Sequence, residues 1–87
     1  MNIRLYALST CPYCRMTKRY LDEHAITYEL IEVDMLEGAT DDPSTPKGAA
    51  VAEVKKLSGG TSFPVLVADD EVIVGFNKTR LASVLGL

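Results

Sequence analysis

The chain has 87 residues, 47% of them hydrophobic and 24% charged, with a formal net charge of −3. That length suits one small folded domain spanning residues 1–87, and the scattered cations form no basic stripe of the kind nucleic acid requires. No apolar run reaches the roughly 18 residues of a membrane span, and Met1-Asn2-Ile3-Arg4 lacks the pattern of a signal peptide, so the expected location is cytoplasmic.

In chain order, Ile3-Arg4-Leu5-Tyr6-Ala7-Leu8 is largely apolar and bounded by Ser9-Thr10, which predicts a buried central strand. From Pro12 to about Glu23 the pattern becomes helical. Met16, Tyr20 and Leu21 are expected on the inner face, with Arg15, Lys18, Arg19 and Asp22 on the other sides. Tyr28 to Val33 reads as a second strand, and strand, helix and strand together predict a parallel unit. Residues 34–47 contain Gly38, Asp41-Asp42, Pro43, Ser44 and Pro46 and have no useful period. They read as an open loop insertion of about 12–14 residues, longer than most connections, with a partner-contacting loop as the sharper alternative.

Helix returns over Gly48 to Ser58, with Ala50, Val51, Val54 and Leu57 on one stripe and Lys55-Lys56 exposed, and Gly59-Gly60 stops it. Phe63 to Val67 predicts a third strand, Asp69-Asp70 a hairpin turn, and Glu71 to Val74 the returning strand. Asn77 is placed to cap a last helix from Lys78 to Leu85, with Leu81, Val84 and Leu85 inward and Gly86 ending it. The order β-α-β-α-β-β-α predicts an α/β fold, a four-stranded mixed sheet with helices on both faces.

The only two cysteines of the chain, Cys11 and Cys14, are three residues apart, a spacing that roughly 2% of random placements would give. In a chain with no export signal, Cys-x-x-Cys reads as redox or as half of a zinc site. Zinc needs four ligands, and the only histidine, His24, lies ten residues on. Thr10-Cys11-Pro12-Tyr13-Cys14 falls where the first strand ends and the first helix begins. There the unpaired N–H groups and positive dipole end favour a thiolate over a thiol. Pro12 suits the first helical position, where no N–H is needed. Cys11 is then expected at the exposed edge as the attacking nucleophile, and Cys14 beneath it as the resolving thiol. His24 reads as a solvated residue at the helix end, and Asp41-Asp42 as a solvated loop without calcium-loop partners.

Cys11-Pro12-Tyr13-Cys14 resembles the active site of the glutaredoxins, and the resemblance runs over essentially the whole chain. It implies the thioredoxin fold and a thiol–disulfide oxidoreductase with no tightly bound cofactor. Ser62-Phe63-Pro64 is similar to the family's Thr-Val-Pro segment, which implies a cis Pro64 beside the cysteines and a substrate-pairing role for the Phe63 backbone. Substrate contacts are implied for Pro12, Tyr13, Phe63, Pro64, Gly75, Phe76 and Asn77. Two features depart from the glutathione-using members. Val74-Gly75-Phe76-Asn77 replaces their Gly-Gly and acidic or hydroxyl residue, and Leu8 stands where a cation is often found. Gly75-Phe76 resembles instead the redoxins that feed ribonucleotide reductase and draw electrons from thioredoxin reductase. Read without the resemblance, Phe76 is a plug closing the end of the core. The implied partners are disulfide-containing proteins and an electron source, glutathione as co-substrate or a thioredoxin reductase. No nucleic acid or membrane is expected, and the chain is expected to be a monomer. An iron–sulfur-bridged dimer through Cys11 and glutathione is the contrasting class, which Pro12 and Tyr13 disfavour.

Overall fold

A computed structural model describes all 87 residues. The strands β1 (Ile3–Ala7), β2 (Glu29–Glu32), β3 (Val65–Ala68) and β4 (Glu71–Val74) form one sheet in the order β2-β1-β3-β4. β1 and β2 are parallel, Arg4 facing Glu29 through Ala7 facing Glu32, while β3 runs antiparallel to both β1 and β4. The central strands β1 and β3 are buried almost throughout, and the edge strands leave Leu30, Glu71 and Val74 exposed.

Alternation along the strands sorts the core onto two faces. Ile3, Leu5, Ala7, Leu66, Ala68 and Ile73 meet Cys14, Tyr20 and Leu21 of α1 (Pro12–Glu23) and Leu81 of α3 (Lys78–Leu85). On the other face Tyr6, Val65 and Val67 meet Val33 and Val54 of α2 (Pro46–Ser58). The expected architecture, four mixed strands between helices on both faces, is the one observed.

Each helix is bounded by the residues its sequence supplies. Pro12 opens α1, Gly59 closes α2 at φ 76°, and Gly86 closes α3 at φ 73°. The Asn77 carboxamide oxygen caps α3 by accepting from the Arg80 N–H at 3.0 Å. Such a cap is worth about 1 kcal/mol.

Several expectations need correction. Met16 is 45% exposed, and the inner line of α1 is Cys14, Thr17, Tyr20 and Leu21. A buried threonine is tolerable because its hydroxyl donates to the Tyr13 carbonyl at 2.9 Å. β2 is shorter than expected: Tyr28 precedes it, and Val33 begins a turn of 3-10 helix at Val33–Met35. Helix α2 starts at Pro46, not Gly48, with Thr45 as its cap.

Residues 34–47 are no open insertion. The Thr45 hydroxyl accepts from the Ala39 N–H at 3.2 Å and donates to the Asp42 carbonyl at 2.7 Å, and the Lys47 N–H reaches the Glu37 carbonyl at 2.8 Å. Gly48 sits directly under the Asp42 carbonyl, where a Cβ would collide with backbone. The segment thus folds back upon the start of α2.

Candidate active site

The active-site turn is built from the end of β1 and the start of α1. The Cys11 N–H donates to the Leu8 carbonyl at 3.2 Å, which closes the turn before the helix begins. Cys11 is the N-cap, with extended backbone, and its sulfur accepts from the Cys14 N–H at 3.4 Å. A thiolate there occupies the place that a capping oxygen usually takes. Pro12 and Tyr13 are exposed, Tyr13 at 61%. Cys14 is completely buried, and its sulfur accepts from the Leu8 N–H at 3.4 Å. Both thiols are free.

Their surroundings drive the two acid strengths apart. At Cys11, partial burial raises the thiol. Hydrogen bonding with the Cys14 thiol, the Cys14 and Tyr13 N–H groups and the charge of Arg15 outweigh it, so the pKa is lowered. At Cys14, burial dominates and pushes the thiol up to about 11, the Cys11 sulfur adding to the rise while the Leu8 N–H and Lys18 act against it. One sulfur is therefore prepared as a thiolate at the surface, and the other is held as a thiol beneath it.

The Phe63–Pro64 peptide is cis, and Pro64 is fully buried. Phe63 is half-buried against the same core as Cys11 and Cys14. Its backbone N–H and carbonyl make no hydrogen bond within the chain. The Gly75 N–H, at φ 80°, donates to the Pro64 carbonyl at 2.8 Å and ties the end of β4 to the proline. Phe76 packs on the core with its ring edge toward Tyr20, centroids 6.2 Å apart. It is the plug that its apolarity suggests. Eight of the expected site residues, Cys11, Pro12, Tyr13, Cys14, Phe63, Pro64, Gly75 and Phe76, thus gather around one end of the sheet. Asn77 spends its side chain on its own helix. His24 stacks on Tyr20, with ring centroids 4.5 Å apart, and has no part in the turn.

The sequence reading missed Asp34. Its carboxylate accepts from the Ser9 N–H at 2.8 Å and from the Ser9 hydroxyl, and these bonds hold the carboxyl below its usual range. It anchors the turn that precedes Cys11. A signal existed in the parallel register: Ala7 faces Glu32, so two residues further along each strand Ser9 meets Asp34.

Two grooves lie beside the turn. One of about 260 Å³ is lined by Leu8, Val33, Val51 and Phe63, with Asp34 and Lys47 at its margin. The other, about 170 Å³, lies between α1 and the start of α3 and includes Met16, Tyr20 and Phe76. The largest depression, about 490 Å³, is at the opposite end of β1, among Asn2, Arg4, Glu29, Asp69 and Asp70, with no nucleophile in it. No three His, Cys, Asp or Glu side chains converge to hold a metal ion, and no helix is long and apolar enough to cross a membrane.

Comparison with known proteins gives a consistent result. The family model described as Glutaredoxin matches residues 3–73. A glutaredoxin-like 8.6 kDa protein in the rubredoxin operon of Clostridium pasteurianum is 33% identical over 79 residues, 91% of each chain. The crystal structure of Methanosarcina acetivorans methanoredoxin is similar with a TM-score of 0.86 at 32% identity, covering 99% of this chain and 85% of that one. The glutaredoxin-like NrdH-redoxin of Escherichia coli, described as having a thioredoxin-like activity profile, is similar with a TM-score of 0.70 at 26% identity, covering 95% and 93%.

Proposed function

The chain belongs to the glutaredoxin family of thiol–disulfide oxidoreductases, and from that premise we propose that Cys11 and Cys14 carry a dithiol cycle that reduces protein or glutathione-mixed disulfides. The observation that carries this reading is the placement of the two sulfurs, Cys11 at the N-cap of α1 accepting the Cys14 N–H and Cys14 completely buried beneath it, which moves their thiols in opposite directions.

In the first step the Cys11 thiolate attacks one sulfur of the substrate disulfide. A Cys11–substrate S–S bond forms as the substrate S–S bond breaks, and the departing thiolate takes a proton from solvent. Cys14 then gives up its proton and attacks the Cys11 sulfur, releasing the second substrate thiol and leaving a Cys11–Cys14 disulfide. Two electrons and two protons pass to the substrate. The unbonded N–H and carbonyl of Phe63 are placed to pair with an extended substrate segment, as a further strand would. Tyr13 and Pro12 form the exposed lip of the turn. The reading places the protein as a monomer in a reducing cytoplasm, where Cys11 and Cys14 are recharged by an external donor.

That donor is the point on which two readings divide. A glutathione site pairs carboxylates and an amine, and each lost partner costs about 1–3 kcal/mol, or roughly tenfold to hundredfold in affinity. Leu8 supplies no cation, and Phe76 fills the end of the site with an apolar ring packed on Tyr20. These features, with the likeness to NrdH-redoxin, favour thioredoxin reductase as the main source and glutathione as a weaker co-substrate. The second reading, a dedicated electron donor to one reductase, follows if only thioredoxin reductase serves.

The test supplies the oxidised protein with NADPH and either thioredoxin reductase or glutathione with its reductase, and follows NADPH loss. Turnover with thioredoxin reductase, and roughly tenfold to hundredfold weaker turnover with glutathione, is expected. Efficient glutathione turnover with none from thioredoxin reductase overturns this assignment of the donor. A visible absorption band that survives purification and is lost with Cys11→Ser points instead to the iron–sulfur dimer.

A further inference from the structure

All 12 acidic residues of the chain lie between Asp22 and Glu71, whereas residues 1–21 and 72–87 hold no acid and six cations. The fold gathers several of those cations on one surface. The first turns of α1 and the start of α3 pack on the same face of the sheet, beside Cys11. Between them lies the groove of about 170 Å³, with Tyr20 and Phe76 in its wall, Met16 45% exposed, and Arg19 and Lys78 on the rim. Tyr13 and Arg15 continue the exposed surface toward the thiol. The two ion pairs of the structure are Lys18–Glu32 and Arg80–Glu71, so Arg15, Arg19 and Lys78 are unpaired.

We propose that this groove docks an acidic segment of the partner protein, an aliphatic side chain seated among Met16, Tyr20 and Phe76 and flanking carboxylates facing Arg15, Arg19 and Lys78. The proposal rests on the redox reading of Cys11 and names the partner's chemistry. Charge complementarity decides the occupant. Two unpaired cations, Arg19 and Lys78, line the slot and exposed Arg15 lies one turn of α1 nearer Cys11, on a protein of net charge −3, so an acidic protein is repelled by the rest of the surface and drawn to this part. Glu23 closes the end of the groove farther along α1 from Cys11, which keeps the partner's carboxylates on the side near the thiol. Steering of this kind acts mainly on the rate of encounter and fades with salt.

The test measures the second-order oxidation of the reduced protein by three synthetic peptides. Each carries one disulfide and one leucine, flanked by Asp and Glu, by Asn and Gln, or by Lys. Neutral hydroxyethyl disulfide measured on the same protein normalises every rate. At low ionic strength the acidic peptide should react about tenfold faster than the neutral one, and the difference should shrink to about twofold in 0.5 M salt. The double change Arg19→Glu, Lys78→Glu should place the lysine peptide first. Lys55→Glu, on the exposed side of α2, should keep the acidic peptide first and so separates a local effect from net charge. Equal rates for the three peptides, or an acidic preference that survives the double change, overturns the docking surface while leaving the redox reading intact. Failure to react with hydroxyethyl disulfide overturns the redox reading and the docking surface together.

Discussion

The rim of the active-site turn and the floor beneath it treat the same chemical group in opposite ways. At the rim, Cys11 has a helix start, N–H donors and Arg15 around it, and its thiol becomes a stronger acid. On the floor, one helical turn away, Cys14 lies among Leu21, Leu81 and the apolar residues of β1 and β3, and its thiol becomes a weaker one. Each sulfur has one nearby cation, Arg15 or Lys18, but Cys11 is served by the Cys14 and Tyr13 N–H groups and Cys14 by the Leu8 N–H alone, and the hydrogen bond between the two thiols lowers Cys11 and raises Cys14. Burial is the largest cause of the rise at Cys14, so the resolving thiol stays protonated chiefly because it is dry.

The largest test of this contrast removes each sulfur in turn. Cys11→Ser should lower disulfide reduction by at least about a thousandfold, because an alcohol at the rim does not ionise. Cys14→Ser should still attack and should accumulate mixed disulfides, visible as a mass increase. Accumulation with Cys11→Ser in place of Cys14→Ser reverses the assignment.

Alkylation reads the contrast without mutation. At pH 7.5 iodoacetamide should modify Cys11 at least about a hundredfold faster than Cys14, judged by peptide mapping. The same displacement has a consequence for stability. A group whose folded pKa is raised contributes stability below its unfolded pKa of about 8.5. That contribution is lost as pH climbs toward about 11. Cys11, with its lowered value, contributes in the opposite sense, its share being lost as pH falls. Urea unfolding of the reduced protein, compared with Cys14→Ala, should show a loss from pH 8.5 upward that the variant lacks.

A third change attacks the floor itself. Leu21 is completely buried beside Cys14, and Leu21→Ala should cost about 3 kcal/mol in urea unfolding, a transfer loss plus a cavity. It should also admit water and bring the Cys14 thiol down. A variant that loses stability while Cys14 stays near 11 would show that something other than dryness holds the proton. The smallest effect is expected from Lys18→Met. It removes a partly exposed ion pair to Glu32 at 3.1 Å, worth about 0.5 kcal/mol. It also removes the one cation that opposes the rise at Cys14.

Much of this architecture is written in punctuation. Pro12, Gly59, Gly86 and Asn77 stand where the helices start or stop because only a few residues satisfy those backbone positions. The cysteine spacing and the Phe63-Pro64 step made the site legible through their likeness to a known family. Helical phase was harder to read. Hydrophobicity alone sent Met16 inward, but the inner line is set by Cys14 and Leu21, which carry Thr17 in with them once its hydroxyl is bonded. The order in residues 34–47 left no period because it depends on Thr45 bonding back along the chain and on Gly48 having no side chain. Thr45-Pro46 is a cap followed by a first helical position, so the true start of α2 was present in the sequence as a pair read only as loop. Asp34 became visible only when two strands were set side by side.

The two backbone donors that face sulfur have a spectroscopic consequence. The Leu8 N–H points at Cys14 and the Cys14 N–H at Cys11. When the pair closes into a disulfide, both amides lose a thiol or thiolate acceptor for a poorer one. Leu8 and Cys14 should therefore move upfield in an amide proton spectrum and exchange with deuterium sooner on oxidation, while amides of α3 such as Leu81 stay fixed. The main chain then records the redox state of the molecule at the two amides that face sulfur.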